Sequence, residues 1–215
     1  MEPIEKSLKS EKQIAIARLQ DLAMDSVMAI EKGIILHGGT AIWRCFGGKR
    51  FSSDLDLYAS EKQFKKLIGN LTWELNKRGV TMDYSTFIER VIEIHNAQAS
   101  VKLEILKKPS GKRSIQKEYV RADGTKMFIN TLSETGFIAE KIKAYKSRSY
   151  ARDLYDIYHL LSLYPKIDKN TKRKLKAFVK SITPPKDEKQ LKELIYEGVA
   201  PTFDTIVNYI KDEIK

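Results

Sequence analysis

The sequence predicts an α+β fold in which a mixed α/β half, residues 1–130, is followed by a helical half, residues 131–215. Segments typical of strands occur only between residues 34 and 130, where amphipathic helical segments are interleaved with them. From residue 132 onward, helical spacing alone continues. Strands mixed with helices and then helices alone are typical of a core sheet with an appended helical bundle.

The mixed half begins with a predicted helix over residues 4–31, in which apolar residues recur at steps of three and four. We expect a short buried strand over residues 34–37 and a short helix over residues 40–46, with Gly38 and Gly39 at the turn between them. The remaining elements of this half are strands at residues 54–58, 80–94 (one or two strands), 101–105 and 126–130, and a helix at residues 60–78.

Each of these later elements has its own signal. Polar and apolar residues alternate at 54–58 and 101–105, and residues 80–94 are rich in β-branched and aromatic types. Ser60 is the expected cap of the helix that follows it, and Gly79 its end.

The helical half is predicted to break near Pro165, Pro184–Pro185 and Pro201, because proline does not continue a helix. Its densest positive run is Lys172–Lys176, which we interpret as one solvated helix face. No internal repeat or low-complexity tract is present in either half.

The composition narrows the class of protein. The 215 residues carry 39 Lys and Arg against 28 Asp and Glu, and this formal net charge of +11 favours polyanionic partners such as RNA, DNA or nucleotides. One cysteine excludes a disulfide scaffold and a Cys-based zinc site. We find no segment apolar enough for a membrane span and no apolar signal segment, so we expect a cytoplasmic protein with no membrane partner.

The stretch that carries chemistry begins at Gly38 and Gly39. Two glycines there allow a ligand to approach the backbone closely, and the free N–H groups at the start of the next helix favour a phosphate. Asp54 and Asp56 then project from one face of a strand, and two adjacent carboxylates repel each other unless a cation lies between them. Mg²⁺, which prefers oxygen ligands, is the expected occupant.

A third acid strengthens this prediction. In the strand at residues 101–105 the apolar residues share one face, which leaves Glu104 on the other. If this strand is a neighbour of the strand that carries Asp54 and Asp56, three carboxylates converge, and such a set can hold two metal ions for phosphoryl transfer.

These motifs resemble those of a known family. Gly38-Gly39-Thr40, Arg50-Phe51-Ser52 and Asp54-Leu55-Asp56-Leu57 look like the first motif of the polymerase-β-like nucleotidyltransferase superfamily. More narrowly, they resemble its AbiEii-type group, whose members include toxins of toxin–antitoxin systems. Glu140–Ala144, Arg148 and Arg152–Ile157 look like that group's later motifs, in which a lysine and an aspartate important for activity match Lys141 and Asp153.

The resemblance implies a nucleotidyltransferase domain over residues 1–130, with a mixed sheet flanked by helices, and a helical bundle domain over residues 131–215. It implies an enzyme that uses Mg²⁺ to transfer a nucleoside monophosphate from an NTP to an acceptor, and RNA such as the tRNA 3′ end is the expected acceptor. The implied setting is the toxin of a toxin–antitoxin or phage-defence pair, with a cognate antitoxin as partner.

The expected site residues fall into three groups. The metal ligands are Asp54, Asp56 and Glu104; the nucleotide- and phosphate-binding residues are Gly38, Gly39, Thr40, Arg50, Ser52 and Arg148; the catalytic residues are the three acids together with Lys141 and Asp153. In this scheme the hydroxyl of Thr40 replaces that of the serine often found at this turn.

Structural interpretations of the later motif remain open. Lys141, Tyr145, Arg148 and Arg152 share a face if one continuous helix carries them, and a cationic stripe of that kind binds a triphosphate. The same cations are also compatible with a solvated face, and Asp153 with a cap on a helix that begins nearby.

Other functions remain open as well. A small-molecule nucleotidyltransferase of the antibiotic-modifying kind shares the metal site, a catalytically silent nucleic-acid-binding module shares the basic charge, and a partner-binding protein uses a nucleotide only to control assembly. His37 and Cys45 are expected to be packing residues, the histidine at a strand end and the cysteine as a small buried hydrophobe.

Overall fold

A computed structural model describes residues 2–88, 90–111, 114–164 and 166–215. The chain divides into two compact units. The N-terminal unit comprises Met1–Gly47 and Phe51–Leu132, and the C-terminal unit comprises Gly48–Arg50 and Ser133–Lys215. The segment Gly48–Arg50, predicted to lie in the first domain, therefore groups with the helical unit.

The strands of the described chain lie in the N-terminal unit. Its elements, in chain order, are a 3-10 turn (Ile4–Ser7), α1 (Glu11–Ile30), β1 (Ile35–His37), α2 (Gly38–Cys45), β2 (Leu55–Ala59), α3 (Glu61–Asn76), β3 (Thr81–Ile88), β4 (Val91–His95), β5 (Ser100–Lys107), β6 (Ser114–Val120) and β7 (Lys126–Leu132). The strands form one sheet in the order β3-β4-β5-β2-β1-β7-β6.

The sheet is mixed. β1 pairs in parallel with β7 and β2 in parallel with β5, whereas the other neighbouring pairs are antiparallel. A mixed sheet with flanking helices, followed by helices alone, confirms the predicted α+β fold. Segment 80–94 contains two of the strands, β3 and β4.

The alternation of residue types in β2 and β5 decides which face of the sheet is buried. Leu55 and Leu57 of β2 and Leu103 and Ile105 of β5 are fully buried at 0 % exposure. Because successive strand residues point to opposite faces, Asp56 and Glu104 lie on the face away from these apolar side chains. The hydrophobic pattern therefore places two acids on one side of neighbouring strands.

Side-chain caps define where two of the helices begin. The Ser10 hydroxyl accepts a hydrogen bond of 3.2 Å from the Gln13 N–H, so α1 begins at Glu11, and the prediction of a continuous helix from residue 4 is wrong. Ser60 caps α3, as predicted: its hydroxyl accepts from the Gln63 N–H, and the Gln63 side chain accepts from the Ser60 N–H at 2.9 Å.

The sequence did not predict β6, Ser114–Val120. Its polar composition gives little hydrophobic alternation, because it is the edge strand of the sheet and most of its side chains are exposed or half-buried. Its conformation depends on pairing with β7, from Ser114 opposite Leu132 to Val120 opposite Lys126. Such pairing between chain segments carries no local signal.

The helices of the C-terminal unit are α4 (Glu134–Arg148), α5 (Ala151–Leu163), α6 (Lys169–Val179), α7 (Glu188–Leu194) and α8 (Phe203–Glu213). Pro184–Pro185 lies between α6 and α7 and Pro201 between α7 and α8, as predicted, while Pro165 lies outside the described residues. No helix in the described part of the chain is both long enough and apolar enough to cross a membrane.

Candidate active site

The approach of Gly38 to Asp56 organises the site in the N-terminal unit. The residue before Gly38, His37, pairs with Asp56 across β1 and β2. Gly38 has a φ of +72°, which favours glycine, and a Cβ at this position would lie 1.8 Å from the carboxylate Oδ2 of Asp56. The backbone of Gly38 therefore lies directly against the Asp56 carboxylate, and any other residue would displace it.

The first turn of α2 begins at Gly38 itself. Gly38 and Gly39 form this turn together with Thr40, whereas the prediction started the helix at Thr40 with the two glycines before it. The N-cap residue His37 makes no side-chain capping hydrogen bond to the turn. N–H groups of a first helical turn have no partner within the helix, and they carry the positive end of the helix dipole. The turn therefore has the geometry of a phosphate site, and it lies beside Asp56.

Asp56 and Glu104 form a carboxyl pair. They are opposite each other in the parallel pairing of β2 and β5. Burial raises the pKa of Glu104 above its ordinary value, the negative charge of Asp56 raises it further, and His37 opposes the shift. This pair accumulates negative charge that a cation would stabilise.

Asp54 lies outside β2, although its negative charge also contributes to the raised pKa of Glu104. β2 begins at Leu55, so Asp54 precedes the strand on an exposed segment, where it accepts a hydrogen bond of 3.2 Å from the Ser53 hydroxyl. Among residues 2–88, 90–111, 114–164 and 166–215, no three His, Cys, Asp or Glu side chains are grouped so that they could hold a metal ion. The predicted neighbourhood of the strands that carry Asp56 and Glu104 is confirmed, and metal ligation by the three acids stays a prediction.

The hydroxyl of Thr40 has a different partner from the one predicted. Thr40 is fully buried, and its Oγ1 donates a hydrogen bond of 2.5 Å to the backbone carbonyl of Asp54. The donor of this hydroxyl is therefore used inside the protein, what Thr40 offers a phosphate is its backbone N–H, and phosphate binding by Thr40 stays a prediction. The side chain instead connects the first turn of α2 to the segment that enters β2.

Gln20 is a site residue that sequence reasoning missed. It lies on α1, is fully buried, and donates from Nε2 to the backbone carbonyl of Ser52 at 2.9 Å, with a longer contact of 3.5 Å to Thr40 Oγ1. The available signal was a polar residue that directly follows the apolar Leu19 on an otherwise apolar helix face. The backbone of Ser52 is thus held in place, while its predicted contact with the triphosphate stays a prediction.

His37 is a packing residue, as predicted, whereas Cys45, predicted to be buried, is half-buried. The His37 ring is buried and stacks on the Tyr58 ring with centroids 3.6 Å apart. Burial raises the pKa of the Cys45 thiol to about 12, so the reactive thiolate is scarce at neutral pH.

The C-terminal unit holds a second group of charged side chains. Lys141 of α4 lies between two aspartates of α5: its Nζ is 3.2 Å from Oδ1 of Asp153 and 2.7 Å from Oδ2 of Asp156. All three residues are buried. Buried charges require partners, and here each partner is supplied by a facing helix.

Arg50 completes this group. Its Nε and Nη2 donate to the two carboxylate oxygens of Asp156, each at 2.6 Å, and its exposure is 4 %. Burial alone would raise the pKa of Asp156, but the positive charges of Arg50 and Lys141 outweigh it and lower that pKa to about 2. The predicted contact of the Arg50 guanidinium with a triphosphate is therefore corrected, because this group is buried and bound to Asp156.

The carboxylate of Asp153 binds two cations. Arg148 donates from Nε to Oδ2 at 2.7 Å and from Nη2 to Oδ1 at 2.8 Å, in addition to the contact from Lys141. Asp153 is not a cap, since α5 begins at Ala151 and its N-cap residue is Tyr150. This cluster contains three cations, Arg50, Lys141 and Arg148, and two aspartates. It therefore has one positive charge in excess.

The single continuous helix that would place Lys141 and Arg152 on one face is not formed. α4 ends at Arg148, and Ser149 has a φ of +55°, a left-handed conformation that ends a helix. Arg152 lies on α5 and therefore does not extend the face formed by Lys141 and Arg148.

A family comparison accounts for this combination of motifs. The family described as "Nucleotidyl transferase AbiEii toxin, Type IV TA system" matches residues 22–205, which covers most of the 215-residue chain. The chain belongs to the AbiEii nucleotidyltransferase toxin family. It is therefore a nucleotidyltransferase, and the predicted resemblance is confirmed.

Solved structures share the fold of this AbiEii protein. One is JHP933 from Helicobacter pylori, with a TM-score of 0.68, 18 % identity, and coverage of 96 % of this chain and 92 % of that one. Another is the nucleotidyltransferase toxin MenT4 from Mycobacterium tuberculosis, with a TM-score of 0.62, 17 % identity, and coverage of 94 % and 84 %. No curated protein matches the chain by sequence.

An antibiotic-modifying enzyme is also similar. The structure of ANT(2″)-Ia with adenylyl-2″-tobramycin has a TM-score of 0.50 and 11 % identity, and the match covers 75 % of this chain and 95 % of that one. The fold of the AbiEii protein is thus also found in an enzyme whose structure contains adenylyl-2″-tobramycin, and the fold alone does not identify the acceptor of this chain.

Proposed function

We propose that this AbiEii-family chain uses Mg²⁺ to transfer a nucleoside monophosphate from an NTP to RNA, with the tRNA 3′ end as the acceptor. The observation that supports the proposal is the contact between Gly38 and Asp56, where a Cβ would lie 1.8 Å from the carboxylate. It puts a phosphate-binding helix start directly beside an acid. Nucleotidyl transfer requires that juxtaposition, because the triphosphate must be held where its charge can be neutralised.

The residues of the N-terminal unit fit a divalent cation. Asp56 and Glu104 present hard oxygen ligands side by side. Burial raises the pKa of Glu104 and the negative charge of Asp56 raises it further, and a cation would relieve this crowding of charge. Mg²⁺ bound there would stabilise negative charge on the triphosphate during transfer. Asp54, close in sequence and solvent-exposed, is proposed as a further ligand.

The proposed reaction is a displacement at the α-phosphorus. The acceptor hydroxyl oxygen forms a bond to the α-phosphorus, the bond from that phosphorus to the bridging oxygen breaks, and pyrophosphate leaves with the bonding electrons. Glu104 receives the hydroxyl proton, since burial and the charge of Asp56 raise its pKa and so increase its basicity. The first turn of α2, at Gly38–Thr40, orients the phosphates through its N–H groups.

Lys141 and Asp153 are proposed as functional residues of the C-terminal unit. Asp153 binds both Lys141 and Arg148, and this arrangement fixes the direction of two cations. The Arg148 side chain retains 40 % exposure despite that contact. We propose that Arg148 contributes to nucleotide binding, whereas Lys141 and Asp153 determine the position of the Arg148 side chain and the charge of the cluster.

The decisive experiment measures transfer of label from each of four α-³²P NTPs to total RNA in the presence of Mg²⁺. The Asp56→Asn variant is compared with the wild type and with Asp204→Asn, which removes an exposed carboxylate at the start of α8. We expect labelled RNA from the wild type and Asp204→Asn, and roughly 100-fold less from Asp56→Asn. Equal labelling by Asp56→Asn would contradict the site assignment.

A small-molecule acceptor is the second candidate, because ANT(2″)-Ia shares the fold. The same assay with an aminoglycoside in place of RNA separates the two. Label on the aminoglycoside and none on RNA would overturn the RNA assignment and leave the Asp56 site intact. Binding of RNA without any Asp56-dependent labelling would support a catalytically silent nucleic-acid-binding module instead.

We extend the proposal to the biological setting of the family. The chain is proposed to act as a toxin in the cytoplasm, where its acceptor occurs. A cognate antitoxin is proposed to neutralise it, and the pair is proposed to serve in phage defence. Induced expression in a bacterial host is then expected to stop growth with wild-type Asp56 and not with Asp56→Asn. Continued growth at equal amounts of both proteins would count against the toxin role.

A further inference from the structure

The positive charge of the C-terminal unit is concentrated in one segment. Residues 169–186 contain seven Lys or Arg and no Asp or Glu, in a chain whose net charge is +11. Six of the seven lie on α6 or at its C-cap; the seven cations are Lys169, Lys172, Arg173, Lys174, Lys176, Lys180 and Lys186. Neither half of the sequence has a basic tail, so this segment is a structured source of charge.

Four of these cations form a stripe along α6. Lys169, Arg173, Lys176 and Lys180 are exposed and follow each other at steps of four, three and four residues, so they share a helix face. The opposite face is buried; it consists of Thr171, Leu175 and Phe178. We call the exposed stripe the α6 basic surface. Residues at these steps have Cβ atoms about 5–6 Å apart on a helix, so their charges are neighbours.

The α6 basic surface is not neutralised by the protein. None of its four cations forms an ion pair with an acid in the ranges that the structure describes, although many other Lys and Arg side chains do. Arg173 donates only to a neutral amide, Oδ1 of Asn170, at 3.1 Å. Like charges at this spacing repel each other, so the stripe is destabilising unless an anionic partner covers it.

The surface is firmly attached to the helix that carries Lys141. The ring of Phe178 packs edge-on against the ring of Tyr145 on α4, with centroids 5.6 Å apart, and the Tyr145 hydroxyl donates to the Thr183 carbonyl at 2.7 Å. Tyr145 lies one helical turn from Lys141. The basic surface is therefore a rigid feature of α6 rather than a flexible charged tail.

The chemistry of the surface selects a phosphate backbone over a lipid surface. A helix that binds a membrane exposes large apolar side chains beside its cations. On α6 the large apolar side chains Leu175 and Phe178 are buried, and only the small Ala177 is both apolar and exposed. A row of cations without an apolar wedge is suited to the regularly spaced phosphates of a nucleic acid.

We infer that the α6 basic surface binds the phosphate backbone of the RNA acceptor. The inference rests on the proposed function in taking RNA as the acceptor, and it adds where the C-terminal unit holds that RNA. Phosphate contacts position a nucleic acid without reading its sequence. The surface therefore contributes affinity and orientation, while the acids of the N-terminal unit carry out the transfer.

The test is direct binding of fluorescein-labelled, unfractionated tRNA by three proteins over a range of salt concentrations. The first protein carries Arg173→Gln, Lys176→Gln and Lys180→Gln, the second carries Lys12→Gln, Lys62→Gln and Lys65→Gln on α1 and α3, and the third is the wild type. Both triple variants replace exposed cations and lose equal charge. We expect the α6 variant to bind tRNA roughly 10- to 100-fold more weakly near 0.1 M salt, with a salt slope smaller by about 2. The control variant should stay within about threefold of the wild type.

Several outcomes would overturn the inference. They are unchanged tRNA binding by the α6 variant, an equal loss in both triple variants, and a loss for a duplex DNA probe or phosphatidylserine vesicles but not for tRNA. Binding is measured separately from labelling, so the two proposals fail separately. Loss of tRNA binding in the α6 variant, with no transfer to tRNA by the wild type, would support the surface and overturn the proposed acceptor.

Discussion

The hydroxyl of Thr40 donates a hydrogen bond of 2.5 Å to the backbone carbonyl of Asp54. This bond joins the first turn of α2, where a phosphate is expected, to the segment that leads into the acids of β2. Gln20 secures the same segment through the Ser52 carbonyl at 2.9 Å. The phosphate turn and the acidic strand are thus connected by buried side chains, so a change at Thr40 is expected to affect both.

Replacing Thr40 with valine tests this connection. Thr40→Val keeps the shape of the side chain but leaves the Asp54 carbonyl without its donor, which costs about 1–3 kcal/mol when the group is buried. We expect kcat for transfer to fall roughly tenfold with a smaller change in the KM for NTP. Thr40→Ser, which keeps the donor, should restore most of the activity. Equal kcat values for the valine and serine variants would show that the bond has no positioning role.

Gly38→Ala and Gly47→Ala form a matched pair. Both glycines have positive φ, +72° and +62°, so alanine strains the backbone at each by about 1–2 kcal/mol. At Gly38 the new Cβ would also meet the Asp56 carboxylate, whereas nothing lies within 4 Å at Gly47. We expect Gly38→Ala to lose roughly 100-fold or more in transfer and Gly47→Ala to stay near wild type, measured with thermal unfolding alongside. Similar activity losses in the two variants would attribute the effect to backbone strain alone.

Removal of divalent cations provides a third prediction. Transfer should stop in EDTA and return when excess Mg²⁺ is added. The Glu104→Gln variant should need about 10- to 100-fold more Mg²⁺ for half-maximal activity, because the substitution removes an expected ligand. Glu193→Gln, at an exposed position on α7, is the control. A Glu104→Gln variant with an unchanged Mg²⁺ requirement would argue against a metal at the Asp56–Glu104 pair.

The acid stability of the protein should depend on Asp156. Its pKa is lowered to about 2 in the folded state, so its contribution is fully present above the ordinary pKa near 3.8 and is lost as the pH falls toward 2. The loss is on the order of 2 kcal/mol. Asp156→Asn should be less stable at pH 7 by about 3–5 kcal/mol, because Arg50 and Lys141 lose their partner, and should show a shallower fall in stability between pH 4 and 2.

Denaturant unfolding at a series of pH values measures this difference. Asp204→Asn, which removes an exposed carboxylate, should follow the wild-type pH dependence. Parallel curves for the wild type and Asp156→Asn below pH 4 would mean that the buried pairing with Arg50 does not control the titration of Asp156.

Local sequence patterns were sufficient to predict several helices and strands and part of the candidate site. Alternation at β2 and β5 identified the face that carries Asp56 and Glu104, because burial on one side of a sheet forces a period of two. The capping residue Ser60 identified the start of α3, since a cap acts over only three residues. The glycines at the start of α2 were found because the positive φ of Gly38 requires that residue type.

Other features depend on residues far apart in the chain. Arg50 was predicted to bind phosphate because it lies just before the acids in the sequence. In the structure it is bound to Asp156, which lies 106 residues later. Likewise, the break at Ser149 separates Arg152 from the face of Lys141, and it has no glycine or proline to signal it. Such partners are chosen by how helices pack, and no local pattern records that choice.

The division between the two sources of information is therefore physical. The residue sequence specified the α+β fold class, the glycine turn at the start of α2 and the paired acids, because burial periodicity and backbone conformation act over a few neighbouring residues. Packing of distant segments settled that Asp54 lies before its strand, that the Thr40 hydroxyl is used internally, and that Asp153 and Asp156 hold three cations. These outcomes depend on which side chains meet across the folded core, where a buried charge or hydroxyl must find a partner.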